Sequence, residues 1–172
     1  GVPQLDNAWN GGGALSHPEI VKQIHKDYIN SGAEIIISNT FATTRHALRD
    51  ANQEHNFEAF NTRGVELAIQ AREELSNNSI LVAGGISYWT WTGNKPSQKE
   101  LTLSVTKQAQ VMKDAGADLV MLEMMIDIEQ MITTIEAAQS SGLPVWVGLT
   151  GEPNKSNGMC LRDGDRLETV IN

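Results

Sequence analysis

Residues 24–41 read IHKDYINSGAEIIISNTF and contain one complete helix-to-strand transition. Ile24 and Tyr28 recur at helical spacing, and Gly32 is typical of the residue that ends a helix. Residues 34–38 (EIIIS) then place a β-branched apolar run between two polar ends, as in a strand of a parallel sheet that is buried on both faces. A polar and aromatic tip, residues 39–41, follows. The stretch predicts one unit of an α/β protein.

The same transition recurs along the chain. Residues 115–123 (AGADLVMLE) and 141–149 (SGLPVWVGL) repeat the glycine and apolar run of residues 31–39 (SGAEIIISN), and residues 80–83 form another apolar run. We therefore predict strands that begin near residues 34, 80, 118 and 144, with helices between them.

Four such units fit two architectures. They form either a complete, small doubly wound sheet or half of a (β/α)8 barrel, which typically needs about 250 residues. The last predicted helix begins near Asp165 and has barely two turns before Asn172. This favours the α/β fold of a (β/α)8 TIM barrel, of which residues 1–172 supply about four or five units as a single domain.

Three predicted helix starts carry side chains that can accept backbone N–H groups. Residues 16–19 (SHPE) and 97–100 (SQKE) have the spacing of a capping box, in which a serine and a glutamate each bond to the other's backbone. Asp127 precedes a further apolar-periodic helix. Helices are also predicted at residues 45–50 and from about 54 to 75, and the predicted loops include a polar one through Cys160.

Composition and charge restrict the function classes. A chain of 172 residues, 40% of them apolar, can bury one core, and its formal charge of -8 repels the phosphates of nucleic acids. No apolar run approaches the about 20 residues that span a bilayer. The only cysteine, Cys160, cannot form an internal disulfide or, by itself, a thiolate zinc site. We therefore expect a cytoplasmic protein without nucleic-acid or membrane partners.

Polar or small residues lie at the predicted strand ends, where both architectures bind their ligands. They are Asn39, Thr40, Phe41, Gly84, Gly85, Glu123, Thr150 and Gly151. Glu123 directly follows residues 120–122 (VML), so its carboxylate could hold an ammonium group by a charge-assisted hydrogen bond. A salt bridge to a neighbouring strand or loop is the alternative.

Aromatic and histidine side chains give weaker signals. Tyr88, Trp89 and Trp91 could stack over a sulfonium or quaternary ammonium ion, or they could pack a long loop against the rim of the barrel. His25 lies on a helix remote from the strand ends, which favours a hydrogen-bonded structural role. His46 and His55 lie in segments that we expect to be exposed, so the histidines predict no metal site.

The order of these motifs resembles that of the homocysteine S-methyltransferase family, across nearly the whole chain. The matching segments are Trp9 before residues 17–19 (HPE), residues 24–41, Asn61 with residues 66–68 (ELA), VAGGIS at 82–87, AGADLVMLE at 115–123, and LPVWVGL at 143–149 followed by LRDGDRL at 161–167. The VAGGIS form is closer to the betaine-using branch of the family than to members with a G-S-x-G-P loop. The identity of the methyl donor stays open.

The resemblance implies a zinc-dependent (β/α)8 barrel that moves a methyl group from an onium or folate donor to homocysteine, giving methionine. In that family pattern Glu123 matches the carboxylate that holds the homocysteine amino group. Asn39, Thr40, Gly84 and Gly85 match strand ends that line the same pocket, and Trp9 matches a loop tryptophan near the donor. No residue of this sequence matches a catalytic group or a metal ligand.

The sequence also departs from the family pattern. The family's zinc thiolates lie in a G-x-N-C segment and a Gly-Gly-Cys-Cys segment, and its first strand ends in a D-G-x-x-G-T-like turn; residues 1–172 contain none of these. We therefore expect an incomplete homocysteine-binding barrel that lacks its first strand and its C-terminal strands. By itself it should neither bind zinc tightly nor methylate homocysteine. The alternative is a non-catalytic half-barrel that binds a ligand or associates with itself as a homo-oligomer.

Overall fold

The structure, a computed structural model, describes residues 1–75, 79–153 and 158–171. Its helices are α1 (Gly13–Ser16), α2 (Pro18–Asn30), α3 (Arg45–Asp50), α4 (Phe57–Glu74), α5 (Gln98–Asp114), α6 (Ile128–Gln139) and α7 (Leu167–Ile171), and a short 3-10 helix, Glu54–Asn56, precedes α4. Its strands are β1 (Ile35–Ile37), β2 (Leu81–Ile86), β3 (Leu119–Met125), β4 (Val145–Leu149), β5 (Gly151–Pro153) and β6 (Met159–Leu161). None of these helices is long and apolar enough to cross a membrane.

Strands β1 to β4 form one parallel sheet in chain order. Ile37 pairs with Ala83, Ala83 with Leu119, and Met121 with Trp146. A doubly wound sheet reverses its strand order at a switch point, and this sheet contains no reversal. The predicted α/β class and parallel sheet are confirmed, and the doubly wound alternative does not describe this sheet. A closed (β/α)8 barrel stays a prediction.

The helices cover one face of the sheet and leave the other face open. The core lies on the covered face, where Ile36, Val82 and Val120 pack against the buried sides of α4 and α5. On the opposite face, Ile37 is 38% exposed and Trp146 is 48% exposed. Successive side chains of a strand point to opposite faces, so residues at alternate positions along each strand line this open face.

Two of the three predicted helix starts are confirmed. Ser97 accepts a hydrogen bond from the backbone of Glu100, whose carboxylate accepts one in return, and Asp127 caps α6. The capping box predicted at residues 16–19 is wrong. Ser16 is the last residue of α1, where its hydroxyl donates to the carbonyl of Gly12, so the residue at the N-cap of α2 is His17, and no side chain caps that helix.

Three expectations about local environment need correction. In the segment predicted as a polar loop, β5 pairs antiparallel with β6, and Cys160 of β6 is buried with its thiol donating to the Glu152 carbonyl at 3.4 Å. His46 is buried because α3 turns it inward with Ala47 and Leu48, whereas His55 is exposed as predicted. His25 is buried in α2, but its Nε2 atom has no hydrogen-bond partner among the described residues.

Candidate functional site

Glu123 lies on the open face at an irregularity of β3. The strand continues to Met125 rather than ending at Leu122, and its pairing with β4 shifts between these two residues. Met124 adopts a left-handed conformation, with φ of 61°. A bulge of this kind re-aims the side chains beside it. Here the irregularity lies directly after Glu123, two residues before β3 ends, and sets the direction of its carboxylate.

Gly85 provides the space that the Glu123 side chain occupies. A Cβ atom on Gly85 would collide with the Oε1 atom of Glu123 and would lie 2.9 Å from the Ile37 side chain. Gly84 has the opposite orientation: a Cβ atom there would lie 2.5 Å from the sulfur of Met112 on the helix-covered face. The structure therefore places Gly85, and not Gly84, beneath the Glu123 side chain, although Gly85 itself is buried.

The Glu123 carboxyl group has no hydrogen bond or ion pair with the described residues. Burial away from water raises its pKa from 4.5 to about 7, because the charged form loses hydration without gaining a partner. The alternative role as a salt-bridge partner is thus not realised within the described parts of the chain. A half-buried carboxyl group without a partner among the described residues marks a candidate ligand site.

A groove with a volume of about 580 Å³ runs between α2 and the outer edge of β1, and Glu123 is part of its wall. Its other polar lining residues are Asn10, His25, Ser38 and Asn39, and its apolar lining includes Val2, Ile20, Val21, Ile24, Ile35, Ile36, Ile37 and Phe41. Small-molecule sites typically combine a mostly apolar lining with a few convergent polar groups. The groove has this character.

Of the residues that follow β1, Asn39 lies in the groove wall and Thr40 lies in the interior. The amide nitrogen of Asn39 donates to the Asn10 carbonyl at 3.0 Å. Thr40 is fully buried: its hydroxyl donates to the Gly85 carbonyl at 2.8 Å and lies 2.7 Å from the Ser38 hydroxyl. Thr40 therefore ties the tip to β2, beneath the surface that a ligand would reach.

A buried polar network attaches this tip to α4 and α5. The Asn61 side chain accepts from the Thr43 hydroxyl at 2.8 Å and from the Gln108 amide at 2.9 Å, and it donates to the Thr43 carbonyl at 2.9 Å. All three side chains are buried. The sequence identified Asn61 only through its place in the family pattern, because the partners of a buried amide are set by packing between elements.

Three aromatic rings meet at the rim beside the groove. The centroids of Trp9 and Phe41 are 6.2 Å apart, those of Phe41 and Trp91 are 6.2 Å apart, and those of Trp9 and Trp91 are 6.4 Å apart. We refer to Trp9, Phe41 and Trp91 as the aromatic triad. Trp9 is 52% exposed and Trp91 is 37% exposed, so the triad faces solvent, while Phe41 also lines the groove.

The aromatic loop of β2 contributes to the triad through Trp91 alone. Tyr88 is buried, and its hydroxyl accepts hydrogen bonds from the backbone N–H groups of Ile126 at 2.7 Å and Asp127 at 3.1 Å. The Arg162 guanidinium lies 5.0 Å from the ring centroid of Trp89. Tyr88 and Trp89 therefore pack the loop against the rest of the protein, as the second of the two predicted roles has it. The triad was not predictable from the sequence, because its rings come from three separate segments.

Comparison with known proteins assigns the family. The family model described as homocysteine S-methyltransferase matches residues 3–172. The chain belongs to the homocysteine S-methyltransferase family.

Curated relatives of this family member include betaine–homocysteine S-methyltransferases. The zebrafish (Danio rerio) protein is 26% identical over 139 residues, and the Xenopus laevis protein is 28% identical over 141 residues; each match covers 80% of this chain and 34% of the relative. The Sus scrofa protein is 25% identical over 141 residues, with 80% of this chain and 50% of the relative covered. The chain thus spans about a third to a half of the relatives that it matches.

Solved structures of the Escherichia coli homocysteine methyltransferase MmuM have the same fold. The metallated form superposes with a TM-score of 0.79 at 23% identity and covers 95% of this chain and 61% of that chain. The apo form gives a TM-score of 0.71 at 24% identity, with coverage of 94% and 59%.

The described residues of this family member do not fit a zinc centre. They contain no group of three or more His, Cys, Asp or Glu side chains placed to hold a metal ion. Cys160, the only possible thiolate, lies in β6, and its thiol donates to a backbone carbonyl. Zinc prefers thiolate and imidazole ligands in a tetrahedral set.

Proposed function

We propose that this chain supplies the homocysteine-binding part of a methyltransferase that moves a methyl group from an onium donor to the sulfur of homocysteine, giving methionine. The Glu123 carboxyl group in the groove carries the proposal, since it is half-buried, its pKa is raised, and it has no partner among the described residues. An ammonium group would form a charge-assisted hydrogen bond with its ionised form. Asn39 and Gly85 would border the amino acid part of the substrate, and the sulfur would extend towards the aromatic triad.

The reaction balances without an additional reactant. The sulfur of homocysteine loses its proton to solvent and forms a bond to the methyl carbon of the donor. The bond between that carbon and the positively charged heteroatom breaks, and its electron pair returns to the heteroatom. The donor therefore leaves without its positive charge. The zinc dependence of the family is an expectation for the whole protein, and we expect residues 1–172 alone to bind zinc weakly because their donor set does not fit.

The aromatic triad supports an onium rather than a folate donor. A cation resting on a triangle of rings with this spacing can lie within about 6 Å of all three centroids, which is the range of cation–π attraction. Trimethylglycine is a suitable probe. The matched control ligand is 3,3-dimethylbutanoate, which has the same shape but carries an uncharged carbon in place of the positively charged nitrogen. We expect trimethylglycine to bind more tightly than the isostere, and Trp91→Leu to abolish this preference. Equal binding of both ligands would exclude the onium donor.

Because the pKa of Glu123 is close to 7, homocysteine binding should release protons from its carboxyl group, and this release can be measured. At pH 7 about half of the Glu123 carboxyl groups carry a proton, and binding an ammonium group favours the ionised form. Calorimetric titration of homocysteine in buffers of different ionisation enthalpy should therefore show release of about half a proton. Glu123→Gln should remove the release and weaken binding about tenfold or more, as loss of a charge-assisted hydrogen bond does.

The controls separate recognition of the amino group from other contacts. Glu34→Gln, an exposed carboxylate before β1, should behave as the unaltered protein does. 4-Mercaptobutanoate, which lacks the amino group, should bind equally to the protein with and without Glu123→Gln. Homocysteine binding that is unchanged by Glu123→Gln would contradict the proposed role.

A non-catalytic, self-associating half-barrel is the second candidate. The apolar side chains of Ile37, Leu81 and Trp146 are exposed on the open face, and association would bury them. A discrete oligomer that binds no homocysteine at pH 7 would favour this candidate over the methyltransferase.

A further inference from the structure

The three rings of the aromatic triad are held by different parts of the chain. Phe41 belongs to the tip after β1, which leads into α3, whereas Trp91 belongs to the loop after β2. The distance between Phe41 and Trp91 therefore depends on contacts between α3 and that loop. Hydrogen bonds of His46 with Trp89 and of Asp50 with Thr92 contribute to this connection.

The hydrogen bond of His46 is the buried one of the two. Its Nε2 atom lies 3.0 Å from the Trp89 carbonyl oxygen, and the residue is 3% exposed. A carbonyl oxygen can only accept, so Nε2 carries the hydrogen and donates it. The Thr44 hydroxyl lies 3.3 Å from the same nitrogen. By contrast, the bond from the Thr92 hydroxyl to Asp50, at 2.7 Å, is exposed, so water can replace it at little cost.

The environment of the second ring nitrogen, Nδ1, keeps His46 neutral with its proton on Nε2. Nδ1 is buried and has no hydrogen-bond partner among the described residues. Burial lowers the pKa of His46, and the hydrogen bond with Trp89 only partly opposes this effect. The ring therefore stays neutral near pH 7 with its proton on Nε2, directed at the loop that carries Trp91.

We propose that His46 is a positioning residue for the donor site: its hydrogen bond to the Trp89 carbonyl holds Trp91 against Trp9 and Phe41, and so sets the affinity for an onium cation. The inference rests on the onium donor of the proposed function. His46 itself does not touch the donor. It acts through the backbone of the loop, two residues before the ring that would contact the cation.

The test compares two uncharged amides that differ in reach. In His46→Gln the amide nitrogen extends about as far as Nε2 and can still donate to the Trp89 carbonyl, whereas in His46→Asn it is one methylene too short. His55→Asn, at an exposed histidine, is the control for the change of residue type. The indole N–H signal of Trp91, assigned with Trp91→Phe, reports the position of the ring by NMR, and titration with tetramethylammonium reports the affinity. Thermal unfolding verifies that each variant is folded.

We expect His46→Asn to shift the Trp91 indole signal towards that of a solvated tryptophan and to weaken tetramethylammonium binding about tenfold. His46→Gln should preserve the signal and keep the affinity within about threefold, and His55→Asn should change neither. A His46→Asn protein with an unshifted signal would overturn the inference, and so would a shifted signal with unchanged affinity. If tetramethylammonium leaves the unaltered protein unaffected while His46→Asn still shifts the signal, the onium donor is wrong, and the ligand role of His46 fails with it.

Discussion

At the scale of a single residue, burial makes the charge of Glu123 costly to the fold. Its pKa is 4.5 in an unperturbed chain and about 7 in the folded protein. Between these values the folded state binds more protons than the unfolded state, so stability is fully present below pH 4.5 and is lost as the pH rises through 7. The group that we propose to bind an ammonium ion thus destabilises the ligand-free protein at neutral pH.

Glu123→Gln should remove this pH dependence. We expect the variant to be more stable than the unaltered protein by about 2 kcal/mol at pH 8 and nearly equal to it at pH 4.5. Urea unfolding at both pH values measures the two differences. Glu34→Gln, which replaces an exposed carboxylate, should give no pH-dependent difference. A Glu123→Gln stability profile parallel to that of the unaltered protein would show that Glu123 is not buried and unpaired.

At the scale of the secondary-structure elements, Asn61 connects the tip after β1 to α4 and α5 through hydrogen bonds that water cannot replace. Asn61→Ala leaves the Thr43 carbonyl and the Gln108 amide with fewer partners in the interior. We expect a loss of about 2–4 kcal/mol of unfolding free energy and faster amide exchange at residues 40–44. Asn30→Ala, at the exposed end of α2, should cost less than about 0.5 kcal/mol. Similar losses for both variants would contradict the role of the network.

Local pattern was sufficient to predict the strands of the parallel sheet and the longer helices, but not α1, β5 or β6 and not the environment of each side chain. The glycine before each apolar run correctly placed β1, β3 and β4, and serine and glutamate spacing correctly placed the start of α5. The sequence could not choose between Gly84 and Gly85, because neighbouring residues of a strand point to opposite faces and only the packing of α5 decides which is which. For the same reason the burial of His46 depends on contacts that its own segment does not encode.

The part of the candidate site that lies on one strand, Glu123, was predictable from the sequence. The aromatic triad, which combines several segments, was not. Glu123 was identified because a carboxylate directly after a buried run lies at the end of a strand. The triad combines Trp9, Phe41 and Trp91 from segments far apart in sequence, so no spacing rule could bring them together. The family pattern identified Trp9 alone.

At the scale of the whole molecule, the open face of the sheet determines whether copies of the 172-residue chain associate with one another. Ile37 and Trp146 lie on this face with 38% and 48% of their surface exposed, in a sheet whose β1 and β4 are edge strands. Exposed apolar surface next to unpaired strand edges favours association between chains. We therefore expect the 172-residue chain to self-associate with increasing concentration.

Lysine substitutions on this face provide the decisive measurement. Ile37→Lys combined with Trp146→Lys should shift the sedimentation distribution towards monomer, because the charges oppose contact between open faces. Since both side chains are already exposed, the melting temperature should fall by only a few degrees. Leu103→Lys, on the outer surface of α5, replaces an apolar side chain that is even more exposed but lies away from the open face, and it should leave the distribution unchanged. If all three chains sediment alike, association occurs elsewhere, and the open face is not the surface through which copies of this chain meet.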